Sequence, residues 1–329
     1  MACFHPVIGF RAKYPNPDSG RTPLVFSARD AADPDDPLKI PCGRCIGCRL
    51  ERSRQWAIRC VHEASLYERN CFITLTFSPE HFPKDRSLNK RDFQLFIKRL
   101  RKKFGPGVRY FHCGEYGEQC VNCGFNKILC FRVCKKWIPS LGRPHYHACL
   151  FNFDFADRVL HSVRSGVELF TSKDLQELWP YGFSTVGDVT FESAAYVARY
   201  ITKKITGDLA EEHYTSTDPR TGEIFKVLPE YTTMSRRPGI GKPWLEKFQT
   251  DVFPHDRVVM RGREMRPPKY YDSVFSLANP EGMEEIKFKR IRNGKLQAID
   301  TTFDRLRVRE ELQLIKMKQL KRGYDDEIV

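Results

Sequence analysis

Two imidazoles and two phenols stand out as groups able to act on one reacting centre: His145 and His147 flank Tyr146, and Tyr196 and Tyr200 follow about fifty residues later in a run ending at Lys203. The segment His145 to Phe151 is short, apolar or aromatic at most positions, and introduced by Gly142-Arg143-Pro144, which predicts a strand. Side chains two apart on a strand share a face, so His145 and His147 converge while Tyr146 points into the opposite layer. Neutral imidazole is a common metal ligand, and a third, oxygen ligand would suit a divalent cation that must also hold a phosphate oxygen. Glu115 and His112 compete for that third place, both on a predicted strand from Val108 to Glu115.

The tyrosine run, Phe191 to Lys204, has good helix formers and no internal Gly or Pro. Residues four apart stack on one helix face, and Lys203 lies three beyond Tyr200, so both phenols and an ammonium share a stripe. A phenol with its ordinary pKa near ~10 is a poor nucleophile. Its attack on a phosphodiester needs a metal-activated phosphate and nearby positive charge, which Lys203 and the cation would supply. Taken alone, two His in a strand are ordinary surface or core residues, and Tyr at i and i+4 is an ordinary amphipathic face. Together, with a Thr-rich strand upstream and a basic chain around them, they describe one reaction.

Twelve cysteines at tight spacings point to metal rather than disulfides. Cys42, Cys45 and Cys48 form a Cys-x-x-Cys-x-x-Cys knuckle that can wrap a zinc with one ligand missing. Cys3 is assigned as the fourth, since Cys60 lies on the helix that starts near Cys48. A second group, Cys120, Cys123, Cys130 and Cys134, sits in an insert between the two strands that carry Glu115 and His145, and reads as a small basic zinc loop. Reduced thiols packed as small hydrophobes are the alternative for both groups.

These motifs resemble a known family. His145-Tyr146-His147 resembles the HUH motif of rolling-circle replication initiators, Tyr196-x-x-x-Tyr200-x-x-Lys203 their two-tyrosine motif, and Phe72-Ile73-Thr74-Leu75-Thr76-Phe77 the strand before both. Closer still is the resemblance to the gokushovirus (microvirus bacteriophage) initiators. It rests on the Met-Ala-Cys-Phe-His-Pro start, Cys42 to Arg49, Gly142-Arg143-Pro144 and Met234-Ser235-Arg236-Arg237-Pro238-Gly239-Ile240-Gly241, and spans roughly residues 1 to 250. The aromatic middle residue of the His triplet departs from the usual aliphatic one. The resemblance implies a ferredoxin-like or RRM-like sheet with the His pair at its centre and the tyrosine helix across it. It also implies Mg²⁺ or Mn²⁺ at the His site, a 5′-phosphotyrosine link, a released 3′-hydroxyl that primes synthesis, and host helicase and polymerase as partners in the bacterial cytoplasm. A relaxase or transposase, and a non-enzymatic zinc regulator of nucleic acid, are the competing readings.

Bulk properties agree. The chain has 329 residues with 55 Lys plus Arg against 41 Asp plus Glu, a formal charge of +14 that favours a polyanionic partner such as single-stranded or locally unpaired DNA. No apolar run long enough to span a membrane and no signal-peptide pattern appears, so a cytosolic protein is expected. No Gly-x-x-x-x-Gly-Lys-Ser/Thr phosphate loop is present, so unwinding would be borrowed. The patterns predict helices at Arg49 to Arg69, Asn89 to Phe104 and about Ser172 to Trp179, strands at Cys71 to Phe77 and Gly182 to Val189, and a loop from Glu211 to Lys226. The fold class expected is α+β, an antiparallel sheet with helices packed on one face and cysteine-rich zinc-binding additions. Three parts are expected: an irregular cysteine knuckle segment 1–50, a nuclease domain 51–250 with insert 118–142, and a basic extension 251–329 that ends in a helix near Phe303 to Arg322. Arg143, Arg236 and Arg237 are the candidates for DNA backbone contact, the last two in a Gly-containing turn.

Overall fold

The computed structural model describes residues 3–18, 20, 22–120, 130, 132–136, 139–164, 166–199, 209–217, 221–296 and 298–319. In chain order the strands are β1 (Val7–Arg11), β2 (Leu24–Val25), β3 (Leu38–Ile40), β4 (Asn70–Leu75), β5 (Arg109–Cys120), β6 (Pro139–Phe151), β7 (Val159–Arg164), β8 (Val167–Thr171), β9 (Ser184–Gly187), β10 (Thr215–Thr217), β11 (Ile224–Lys226), β12 (Tyr231–Met234), β13 (Val258–Met260) and β14 (Arg263–Met265). The helices are α1 (Ile46–Ala64), α2 (Lys90–Phe104), α3 (Lys173–Leu178), α4 (Phe191–Arg199), α5 (Leu209–His213), α6 (Lys242–Lys247), α7 (Gln249–Val252), α8 (Lys269–Ala278), α9 (Pro280–Leu296) and α10 (Phe303–Gln319). The chain divides into two compact units, residues 1–52 with 287–320 and residues 53–286 with 321–329.

In the first unit β2, β1 and β3 form a small antiparallel sheet where the sequence predicts irregular chain. Strands of five, two and three residues are too short to show an alternating pattern among the surrounding Pro and Asp residues.

The second unit is built on a seven-stranded sheet in the order β12-β5-β6-β4-β9-β8-β7. Every pairing in it is antiparallel, so the α+β class with a large antiparallel sheet holds. Its helices cover both faces rather than one, because the central strands are apolar at both alternations and each apolar face must be buried. Ile73, Leu75, Tyr146, Ala148 and Leu150 pack toward α2 and α3. Phe72, Phe111, Cys113, Cys149 and Phe151 pack toward Ala57 and Cys60 of α1 and Ala194, Tyr196, Val197 and Ala198 of α4.

Helix α2 shows how the sequence fixes these contacts. Asn89 caps it by accepting from the Arg91 amide, and Phe93, Phe96, Ile97 and Leu100 recur at helical spacing and are buried. Burying four such side chains contributes roughly 6–12 kcal/mol before the entropy of ordering the chain is subtracted. The helix stops at Gly105, whose φ of 97° suits a residue without Cβ.

Two stretches carry more structure than their sequence signals. The predicted loop 211–226 contains the end of α5 and the β10–β11 hairpin. Residues 242–286, most of them assigned by sequence pattern to a C-terminal extension, bury Leu245, Val252, Phe253, Val258, Tyr271, Phe275 and Met283 against Ile58 of α1. Among the described residues no helix is long and apolar enough to cross a membrane.

Candidate metal centre

Register on β6 builds the site. Glu115 of β5 pairs with His145, Cys113 with His147, and Thr74 of β4 also with His147, so all five side chains belong to one face of the sheet. The ligand atoms of Glu115, His145 and His147 lie within 4.8 Å of one another, and all three residues are buried. One carboxylate oxygen, Oε1 of Glu115, stands 2.9 Å from Nε2 of His145 and 2.8 Å from Nε2 of His147.

The far nitrogens decide what the near ones can do. His145 Nδ1 is 3.1 Å from the backbone carbonyl of Arg143, which can only accept, so Nδ1 carries the hydrogen. His147 Nδ1 lies 2.9 Å from the Thr74 hydroxyl, which holds that ring in the same orientation. Each neutral imidazole then turns its Nε2 lone pair toward the carboxylate. Three acceptors around one point need a proton or a metal cation between them. Burial by itself would push the Glu115 carboxyl up, but His145 and His147 outweigh it and hold the group at about 2. Two nitrogens and one oxygen on one side of a buried point fit a divalent cation that keeps open positions for substrate.

His112, the other candidate for third ligand, faces away. It pairs across from Ala148 on the opposite face, stacks on Phe93 at 3.5 Å and bonds the Thr233 hydroxyl at 2.9 Å. Burial pushes its pKa well below the usual imidazole value, so it stays neutral.

Helix α4 brings Tyr196 to the site. Thr190 and Ser193 cap the helix reciprocally, the Thr190 amide donating to Ser193 Oγ at 2.8 Å and the Ser193 amide to Thr190 Oγ1 at 3.1 Å. The Tyr196 ring meets the His147 ring edge-on, 5.0 Å between centroids, and is 1% exposed. Tyr200 and Lys203 lie outside the described residues.

Of the basic candidates, Arg143 is exposed two residues before His145, and Arg236 and Arg237 are exposed on the turn after β12. That turn is held from below by a group that sequence reasoning missed. Fully buried Glu63 accepts from Arg109 Nε at 2.5 Å and from the Gly241 amide at 2.7 Å, while Arg109 Nη2 and Arg59 Nε donate to the carbonyls of Pro238 and Ile240. An acid within an otherwise Arg-studded helical stretch was the available signal. Thr74 enters the sequence pattern only as part of a strand, yet its alternation with Phe72 already puts it on the His face.

The first cysteine group assembles as expected. The sulfurs of Cys3, Cys42, Cys45 and Cys48 lie within 4.8 Å of one another, and backbone amides of Phe4, Cys42 and Cys45 donate to sulfurs at 3.3 Å each. At 3.6 Å, Cys3 and Cys42 are too far apart for a disulfide bond, and four sulfurs at this spacing can hold a metal ion. Burial raises the Cys45 thiol, but the amides of Phe4 and Cys48 and nearby thiols reverse this and lower it to about 6, which favours a thiolate. In the second group Cys120, Cys130 and Cys134 converge likewise, with 3.2 Å between Cys130 and Cys134, and Cys123 lies outside the described residues.

Comparison with known proteins adds a family. Residues 70–122 and 133–205 match the family of replication-associated proteins typified by ORF2. The chain is 31% identical over 318 residues to the replication-associated protein VP4 of Bdellovibrio phage phiMH2K, covering 93% of this chain and 87% of that protein. It is 31% identical over 248 residues to the replication-associated protein ORF2 of Spiroplasma virus 4, covering 71% of this chain and 66% of that protein. To the replication-associated protein ORF4 of Chlamydia phage 1 it is 25% identical over 245 residues, covering 71% and 53%. No solved structure matches the chain.

Proposed function

Because the chain belongs to the replication-associated proteins of microviruses, we propose that it initiates rolling-circle replication by nicking one strand of a phage origin as an HUH endonuclease. The observation that carries this reading is the convergence of Glu115, His145 and His147 within 4.8 Å beside the ring of Tyr196. These three residues would hold Mg²⁺ or Mn²⁺, which when bound polarises the scissile phosphate and offsets the charge that develops as it is attacked.

The chain's own groups do the rest. Arg143, Arg236 and Arg237 bind the DNA backbone, a contribution that weakens as salt rises. Thr74 and the Arg143 carbonyl keep both imidazoles turned toward the ligand position. A tyrosine hydroxyl gives up its proton and its oxygen attacks phosphorus; the bond to the 3′-oxygen breaks, leaving a 5′-phosphotyrosine and a free 3′-hydroxyl to prime synthesis. Tyr196 must be uncovered to react, being 1% exposed. Tyr200, one turn further, is the alternate nucleophile that cuts the regenerated origin, and Lys203 favours the phenolate. The first tyrosine linkage is then resolved by the new 3′-hydroxyl, which circularises the displaced strand. Unwinding and synthesis fall to host helicase and polymerase.

The cysteine groups serve as structural zinc sites, Cys123 completing the second. Protein purified without added zinc should contain about two zinc per chain, because four-thiolate sites close tightly around that ion. Folded, active protein with almost none would refute both.

Tyrosine variants test the nuclease reading. With origin oligonucleotides and Mg²⁺, wild-type protein should form an adduct that survives denaturing gels; Tyr196→Phe and Tyr200→Phe should each retain some of it, and the double variant none. An adduct in the double variant contradicts the mechanism. DNA binding with no adduct at all favours a zinc-containing regulator instead.

A further inference from the structure

Beside the metal centre, the β5–β6 ladder carries an irregularity that builds a second surface. Its register passes from Tyr116 opposite Pro144 to Glu118 opposite Leu141, so β6 spends one more residue than β5 around Gly117. Such bulges bend a strand and re-aim its side chains. Gly142 belongs to this bulge, and a Cβ there would come within 2.9 Å of the Gly117 carbonyl oxygen.

A shallow, open cleft of about 250 Å³ lies at the bulge, lined by Phe82, Arg86, Tyr116, Gln119, Leu141 and Gly142 along with Val227. Flat groups border it in alternation. The Arg86 guanidinium lies 4.9 Å from the Phe225 ring centre and 6.0 Å from that of Phe82, and the Arg143 guanidinium lies 5.6 Å from Phe82 on another side. The loop bearing Arg86 is braced rather than loose. The Leu88 amide donates to the Tyr116 hydroxyl at 2.9 Å, that hydroxyl donates to the Leu228 carbonyl at 2.8 Å, and the Leu228 amide donates to Ser87 Oγ at 2.9 Å. Arg86 itself sits at φ 56°, a left-handed conformation that non-glycine residues hold only where surrounding contacts enforce it.

We propose that this cleft is a stacking subsite for one unpaired base of the DNA strand held at the metal centre. The proposal rests on the single-stranded-DNA reading of the site and adds to it where the strand runs. Aromatic rings and guanidinium planes offer faces on which any base can stack, and two cations suit the phosphates on either side of it. Gly142 is three residues from His145 along β6, roughly 10 Å at ~3.3 Å per residue. That separation puts the stacked base one or two nucleotides from the scissile phosphate. Gln119 places an amide at the cleft wall, where it meets the base edge.

The experiment uses the full chain in chelator, so that its result is independent of nicking. Single-stranded dT₂₀ carrying 5-iodouracil at single positions is photo-cross-linked to the protein and the adducts are mapped by mass spectrometry. Cross-links to Phe82, Tyr116 or Phe225 are expected, and cross-links confined to other surfaces overturn the proposal. In parallel, affinity for dT₂₀ is compared with affinity for an abasic backbone of the same length. Arg86→Ala should weaken dT₂₀ binding by about tenfold, in line with the loss of one stacked base, while changing abasic binding by a factor of two at most. Equal losses on both probes reduce Arg86 to a backbone contact and refute the base subsite. A Phe82→Leu variant, which keeps apolar volume, should reproduce the Arg86→Ala pattern. If the subsite fails while metal-dependent adducts still form, the nuclease reading stands without it.

Discussion

The two faces of strand pair β5–β6 each bear histidine, and they put it to opposite uses. On one face His145 and His147 turn Nε2 toward Glu115 with their far nitrogens held by a carbonyl and a hydroxyl. On the other, His112 lies flat on Phe93, its Nδ1 on Thr233, within the core that α2 covers. Burial is nearly complete in all three, so exposure does not separate them. What separates them is a carboxylate within reach and a partner that fixes the ring. A buried imidazole surrounded by rings is a structural plate; one aimed at a carboxylate, with its other nitrogen anchored, is a ligand.

That contrast can be broken at several points. The largest effect belongs to the ligands themselves. His147→Ala and Glu115→Gln should each reduce nicking by more than about a hundredfold, since direct ligands matter at least as much as the partners behind them, while salt-sensitive DNA binding stays largely intact. Nicking at wild-type rate by either variant, in a plasmid or oligonucleotide assay, would remove the metal assignment. Next comes the anchor: Thr74→Val keeps the shape of the strand but takes away the Nδ1 partner of His147, and should weaken divalent-ion affinity by about 10- to 100-fold. Calorimetric titration with Mn²⁺ reads this directly, and an unchanged affinity would mean that Thr74 does not orient the ring. The smallest effect on chemistry belongs to the other face. His112→Ala should cost stability, about 3 kcal/mol in urea unfolding through the lost ring contacts, with little change in metal affinity once folded. Should it prove too unstable, the pair His112→Phe with Thr233→Val removes donor and acceptor together and keeps the ring stack.

Much of the chemical face is legible in the sequence, because period-2 alternation alone puts His145 and His147 together and Tyr146 behind them. The choice between Glu115 and His112 is not. It depends on which residue of β5 sits opposite His145, and register across a hairpin with a long insert is a tertiary fact. The aromatic Tyr146, a departure from the family pattern, has a local explanation: its hydroxyl donates to Asp92 at 2.8 Å and accepts from the Asn89 amide at 3.1 Å, tying the start of α2 to the His strand. Cys3 joins Cys42, Cys45 and Cys48 as expected, since a three-cysteine knuckle leaves a gap that a nearby thiol fills. The second face of helices and the packing of residues 242–286 escape the sequence patterns for one reason. They rest on apolar residues scattered over short elements, where no window is long enough for a period to show.

The central claim is that Glu115, His145 and His147 form one divalent-ion site and that His112 does not belong to it. Electron paramagnetic resonance titration of Mn²⁺ into the wild type, His147→Ala and the His112→Phe, Thr233→Val pair tests it most directly, because bound and free Mn²⁺ differ in signal regardless of catalysis. The account predicts one bound Mn²⁺ per chain in the wild type and in the His112 pair, and none at comparable concentration in His147→Ala. Undiminished binding in His147→Ala, or loss of the site in a folded His112 pair, would contradict it.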